Sequence, residues 1–232
     1  MTEYWRLTNK EENHHRFQYR DGLNVDVLPF NPKGRCEPGG LYFFDREHLH
    51  FFPKYVQEPY YIRKVTLLPD SRVYTMTDTM KTDKFFLHPR MLLADFIDQQ
   101  SEDFVIKLLN SNYPFQRIRK QTEKICLEAI KYYWQYFKYV QQKTESICLA
   151  AVQICGGTLE FIEDQTEEIC LAAVKNYPTA LEHAKIQTEK MCLAAVQDCG
   201  WALKFVQKQT PQICLAAVQQ NPFALEYVEQ QT

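Results

Sequence analysis

Two patterns of apolar and polar positions divide the chain. Through residues 1–98, short apolar or aromatic runs ("YWRL", "HRFQY", "LYFF", "YYIRKVTLL", "RVYTM", "KFFL") are separated by turn signals ("RDGLN", "NPKG", "EPGG", "LPDS"). Short β-rich runs bounded by Gly, Pro, Asn and Asp read as strands joined by turns. This predicts a small β-rich α+β module over 1–98, with "MLLADFI" as a helical lead into the second part.

From residue 121 the period changes. Gln121, Lys143, Gln165, Gln187 and Gln209 open five copies of one motif, each 22 residues after the last. A fixed period in the twenties marks a stacked array of repeats. Counting the opening Gln or Lys as position 0, position 1 is always Thr (Thr122, Thr144, Thr166, Thr188, Thr210), followed by Glu or, in the last copy, Pro211. Thr before an acid or a proline is a helix start: the hydroxyl caps free amides and the acid complements the positive helix end.

Positions 4 to 9 are apolar nearly all round, which suits a helix sandwiched between neighbours. Asn-Pro or Gly then punctuates the chain, and a second apolar face follows at positions 15, 16 and 19. Each copy therefore predicts a short helical hairpin. The stretch from Gln100, "QSEDFVIKLLNSNYPFQRIRK", follows the same order in altered register and reads as a degenerate leading copy. The expected architecture is α+β: a β-rich module over 1–98, then an α-solenoid of about six hairpins over 99–232, degenerate over 99–120 and regular over 121–232.

Composition narrows the function. With 27 Lys and Arg against 29 Asp and Glu, and pI near 6.3, the chain carries no basic footprint for a phosphate backbone, so no nucleic-acid partner is expected. No run is long and apolar enough to span a membrane, and the first residues lack the pattern of a secretory signal, so the reading is a soluble, non-secreted protein. Cys126, Cys148, Cys170, Cys192 and Cys214 share position 5. Neighbours in such a ladder stand roughly 8–10 Å apart, too far for disulfides or a shared zinc ion, which predicts reduced core cysteines. Cys36, His48 and His50, with His14 or His15, match no tight zinc-knuckle spacing, and neither metal nor cofactor is expected.

The motif "QTEEICLAAVKNYPTALEHA" resembles a family of short helical repeats of unassigned function, abundant in giant DNA viruses of amoebae and present in Legionella-type bacteria. The opening "LTNKEENHHRFQYRDGLNVDVLPFNPKGRCEPGGLYFFD" is similar to a module that such viruses place ahead of ankyrin or related repeats. The resemblance implies a viral protein in the infected host-cell cytoplasm or in the virion. A different resemblance is to ADP-ribosyltransferases: His14 or His15, then Gly22 and Leu23, then "GGLYFFD" from Gly39 to Asp45 come in the order that holds NAD there. It implies that His14 and Tyr42 would orient the nicotinamide ribose and a later carboxylate would stabilise oxocarbenium-like charge. Between Glu58 and Glu102 there is no Glu, although aspartates, Asp70, Asp78 and Asp83 among them, do occur there.

Identical residues at identical spacing do one packing job, so function is expected where the copies differ. The variable hinge residues Tyr133, Trp134, Tyr177, Trp201 and Phe223, with Tyr227 on the second arm, are the candidate protein-binding positions. The leading reading is a non-catalytic interaction scaffold with a host or viral protein partner. The rivals are an NAD-related module in 1–98 and a virion structural component. The last copy keeps the internal apolar pattern, which predicts weak self-association through the C-terminal repeat.

Overall fold

The computed structural model describes residues 2–14, 17–33, 37–51 and 60–229. The chain divides into two compact units, Met1–Lys120 and Gln121–Thr232.

The first unit is built on an antiparallel sheet. Its strands are β1 (Tyr4–Thr8), β4 (Gly22–Val25), β5 (Leu41–Asp45), β6 (Tyr61–Thr66), β7 (Val73–Thr75), β8 (Met80–Thr82), β9 (Lys84–Leu87) and β10 (Met91–Leu92), ordered β4-β9-β6-β1-β5-β8-β7 with β10 also on β6. The strands β2 (Asn13–His14) and β3 (Phe17–Gln18) form a separate small hairpin. The centre is the β1–β6 pair, in register from Tyr4 opposite Val65 to Thr8 opposite Tyr61. Side chains alternate along a strand, so Leu41 and Phe43 of β5 point to one face. There they join Tyr19, Val65, Met80, Phe85 and Leu87 in a buried core. On the other face Trp5 meets Phe96 of helix α1 (Leu93–Asp98), ring centroids 4.7 Å apart.

The stretch 99–120 falls within this first unit. Ser101 caps α2 (Glu102–Asn110) by accepting from Phe104 N, and a 3₁₀ helix at Phe115–Arg117 follows the Asn-Tyr-Pro turn.

The second unit holds α3 (Glu123–Tyr132), α4 (Glu145–Ile154), α5 (Glu167–Asn176), α6 (Glu189–Asp198) and α7 (Pro211–Gln220). Every one is capped by the Thr before it, whose hydroxyl accepts the amide three residues on. Each is followed by a second arm, but that arm is a six-residue 3₁₀ helix, as at Trp134–Tyr139 and Gly200–Phe205. Residue 12 of each copy ends the α-helix in an extended conformation, and the chain after it winds in the tighter i→i+3 turns of a 3₁₀ helix. Consecutive helices pack against one another, burying Ile or Met, Cys and Ala at positions 4, 5 and 8. Cys214 of the last copy is the partly exposed exception among these.

A glutamine side chain closes four of the five copies on themselves. In the copy opened by Gln187, its Nε2 donates to Phe205 O at 2.8 Å, its Oε1 accepts from Gln207 N at 2.9 Å, and Cys192 Sγ approaches the same oxygen at 3.6 Å. Gln121, Gln165 and Gln209 make the same closure 18 and 20 residues downstream. Lys143 replaces this glutamine in the second copy. Its Nζ lies 5.3 Å from the Phe137 ring, and Cys148 Sγ turns to the Lys143 carbonyl.

Neighbouring copies are joined by other bonds. The cap hydroxyls of Thr144, Thr188 and Thr210 donate to Glu123, Glu167 and Glu189 of the preceding copy. Asn176 and Gln220 each reach back to accept the amide of the preceding copy's glycine, Gly156 at 2.8 Å and Gly200 at 2.7 Å. The same side chains donate to Gln153 O and Asp198 O. Position 13 of one copy thus meets position 11 of the next in two junctions, Gly156 with Asn176 and Gly200 with Gln220; in the other two, Pro178 and Trp134 stand at position 13 and Asp198 and Ile154 at position 11.

Candidate functional site

Among the candidate binding residues, Tyr133, Trp134, Tyr177, Trp201 and Phe223 are all exposed large side chains, Phe223 the most at 74%. Tyr227 is half-buried. The geometry gathers some of them and separates others. Around the first hinge, Tyr133 contacts both Tyr132 and Tyr136, with ring centroids 5.6 and 5.8 Å apart. Burial raises the Tyr136 phenol above its ordinary range. Tyr139 is also exposed there, with Lys138 Nζ 4.8 Å from its ring. In the last two copies Trp201 and Tyr227 meet edge to face at 5.6 Å. The helix alanine at position 8 of each copy, Ala129, Ala151, Ala173, Ala195 and Ala217, is fully buried. Tyr132 was not among the sequence candidates, because it stands on the helix one position before the hinge.

The last copy differs from the internal ones. Leu225 is 50% exposed, whereas Leu181 and Leu203 at the same repeat position are fully buried. Leu215 and Phe223 of the same copy are also exposed.

In the first unit, His14 and Tyr42 do come together, edge to face at 5.9 Å. Tyr42 is further held by its hydroxyl, which donates to Glu37 O at 3.0 Å, and Lys81 Nζ lies 5.0 Å from its ring. Gly39 and Gly40 adopt φ of 88° and 149°, so the double glycine serves a turn that L side chains rarely enter. A Cβ at Gly40 would also meet the Lys81 side chain at 2.6 Å. Two of the aspartates considered as carboxylates are paired elsewhere. Asp70 Oδ2 binds Lys84 at 2.5 Å, which holds the Asp70 carboxyl below its usual range. Burial pushes the Asp83 carboxyl up, but its hydrogen bonds with Arg72 outweigh this and its pKa is lowered. Asp78 lies in the turn between β7 and β8.

Of the residues considered as zinc ligands, His15 and Cys36 lie outside the described residues, as does the side chain of His50. His48 Nδ1 pairs with Asp45 Oδ1 at 2.6 Å. Among the described residues no group of three or more His, Cys, Asp or Glu is placed to hold a metal ion. No described helix is long and apolar enough to cross a membrane.

Sequence reasoning did not single out the buried charges of the β-sheet. Arg63 is 1% exposed and uses its whole fork: Nε donates to His88 O at 2.9 Å, Nη1 binds Glu12 and Nη2 binds Asp21. Arg6, directly opposite Arg63 in the β1–β6 register, is 5% exposed. The signal was present in "YWRLT", where strand alternation sets Arg6 beside Tyr4 and Thr8 on one face.

The second unit therefore defines a helical repeat protein with a repeated core and a variable aromatic surface. Residues 188–231 match the model of a domain of unknown function, DUF4116. The chain is similar to R868 of Acanthamoeba polyphaga mimivirus, whose name describes an ankyrin repeat protein, at 43% identity over 35% of this chain and 40% of that protein. R896 of the same virus, likewise named for ankyrin repeats, is 37% identical over 35% of this chain and 24% of its own length. R869, an uncharacterized protein of that virus, is 39% identical over 32% of this chain and 52% of its own length. The chain spans about half or less of the length of these relatives. No solved structure matches it.

Proposed function

We propose that this chain is a non-catalytic interaction scaffold of a giant virus, binding a host or viral protein through the exposed hinge aromatics of its helical repeats. The observation that carries the reading is the contrast between the copies' buried core, where residues repeat, and Tyr133, Trp134, Tyr177, Trp201 and Phe223, which are exposed and differ from copy to copy. Large aromatic side chains held on a rigid frame anchor interfaces at low entropy cost. The ankyrin repeat names of the mimivirus relatives support a protein partner. The test is capture of partners from infected-cell extract on the full chain, compared with Tyr133→Ala/Trp134→Ala and with Phe223→Ala. A partner retained by the native chain and released by a folded variant supports the reading. Equal capture by all three overturns it.

The contact between His14 and Tyr42 favours a second reading, an NAD-related module in the first unit. Against it, Asp70 and Asp83 are engaged by Lys84 and Arg72. Calorimetric titration of NAD into the full chain and into Tyr42→Ala tests it: saturable heat lost in the variant supports the reading, and silence at millimolar NAD ends it.

A further inference from the structure

We propose that the outer face of the last two repeats pairs with the same face of a second chain. The second arms of these repeats, Gly200–Phe205 and Pro222–Tyr227, pack side by side. Side chains three residues apart eclipse one another on a 3₁₀ helix, so positions 14 and 17 of each repeat share a face. In these two arms that face is open to water: Trp201, Lys204, Phe223 and Glu226 are exposed, whereas Ala202, Leu203 and Ala224 are fully buried. The two arms present one continuous surface, because Trp201 meets Tyr227 of the next repeat edge to face at 5.6 Å. That contact also limits the indole's freedom in the unpaired chain, which lowers the entropy cost of using it as an anchor.

The charges along the array say which partner fits. Position 17 reads Lys138, Glu160, Glu182, Lys204 and Glu226, and position 14 reads Gln135, Gly157, Thr179, Trp201 and Phe223. The fourth and fifth repeats alone set opposite charges side by side with a large aromatic residue in both. Such a face is complementary to itself. A two-fold axis parallel to the arms and midway between them exchanges the two repeats, laying Trp201 on Phe223 of the second chain and Lys204 on Glu226 of the second chain, each pair formed twice. The spacing matches by symmetry, since both sides of the contact are the same two arms. Exposed ion pairs contribute little by themselves, so the rings supply the attraction and the charges decide which arm meets which. This inference rests on the reading of the hinge aromatics as a protein-binding surface and names the partner for one part of it; Tyr133, Trp134 and Tyr177 are left for a different protein.

The experiment is sedimentation equilibrium of the purified full-length chain, of Lys204→Glu, of Glu226→Lys, and of the two variants mixed in equal amounts. Both side chains are exposed, so neither reversal disturbs the packing of the repeats. A concentration-dependent dimer of the native chain, weakened about tenfold or more in each variant because both ion pairs become like-charge pairs, supports the contact if mixing restores it. Restoration is expected because each variant supplies the charge that the other lacks, in both pairs at once. A native chain that stays monomeric overturns the proposal, as does a dimer that neither reversal weakens. Weakening without restoration in the mixture also overturns it, since the two charges then do not face each other. Purified chain alone is present, so failure here leaves the scaffold reading to be decided separately by capture from infected-cell extract.

Discussion

Gly200 faces the carbonyl oxygen of Ala217 so closely that a Cβ on the glycine would lie 2.6 Å from that oxygen. Its φ is outside the left-handed region, so space between copies, rather than backbone freedom, requires glycine here. Gly200→Ala must push α7 away and also disturb the bond from Gly200 N to Gln220. The expected loss is about 1–3 kcal/mol, the usual cost of overpacking a close contact. Chemical denaturation checks it, with Gly157→Ala as control, because a Cβ at Gly157 would meet only the Cys155 sulfur at an ordinary 3.8 Å.

Lys143 occupies the position where four other copies close themselves with glutamine. Lys143→Gln should supply the missing bonds to the end of its own copy and stabilise the chain by about 1–2 kcal/mol, since each net hydrogen bond contributes roughly 1 kcal/mol. The weak contact with Phe137 is lost in exchange. Gln187→Ala should cost a similar amount with the opposite sign. Thermal unfolding of the two variants decides: a lowered midpoint for Lys143→Gln would show that the closure contributes nothing.

The cap of α6 does two jobs, accepting from Met191 N and donating to Glu167 of the preceding copy. Thr188→Ala should destabilise by about 1 kcal/mol, the common cost of removing an N-cap. Thr188→Ser retains both bonds and should restore most of the loss. Hydrogen exchange at the first turn of α6 reports whether the loss is local.

Alkaline pH should weaken the repeats. Burial raises the Cys126 thiol to about 11 and also raises those of Cys148, Cys170, Cys192 and Cys214. An unfolded cysteine ionises near pH 8.5. Between those values the folded state holds protons that the unfolded state has released, so stability is full below about pH 8.5 and falls as pH rises through about 11. Cys126→Ala should flatten part of that decline. Thiol alkylation near neutral pH, mapped by peptide, should modify Cys155 and Cys199 well before Cys126, Cys148, Cys170 and Cys192.

The local signals were readable in the sequence because they act over a few residues. Thr122 and its equivalents announce a helix start, and the apolar run after each cap announces burial; both need only the next turn of chain. The role of Gln165 was not readable, because its partners His183 O and Lys185 N lie far downstream and become neighbours only when the copy folds back. The second arm resolves as 3₁₀ rather than α at Pro178–His183, a distinction that its few apolar positions do not encode. In the first unit, alternation suggests strands but does not set β1 between β5 and β6, so the meeting of Arg6 with Tyr19 and Tyr42 was invisible. His14 and Tyr42 were paired by resemblance, and the structure joins them through the β2–β3 hairpin and β5.

The rule linking position 13 of one copy to position 11 of the next gives the array a grammar of duplication. Gly156 and Gly200 begin junctions of one kind, and Pro178, standing between them, begins another. Removing the copies opened by Gln165 and Gln187 together would set Gly156 against Gln220, the kind of pair that Gly200 makes now, whereas removing either one alone would set Gly156 against Asp198 or Pro178 against Gln220. A gene encoding such an array can lose that pair of copies and keep a glycine junction of the same kind, whereas losing the copies opened by Lys143 and Gln165 would set Trp134 against Asp198.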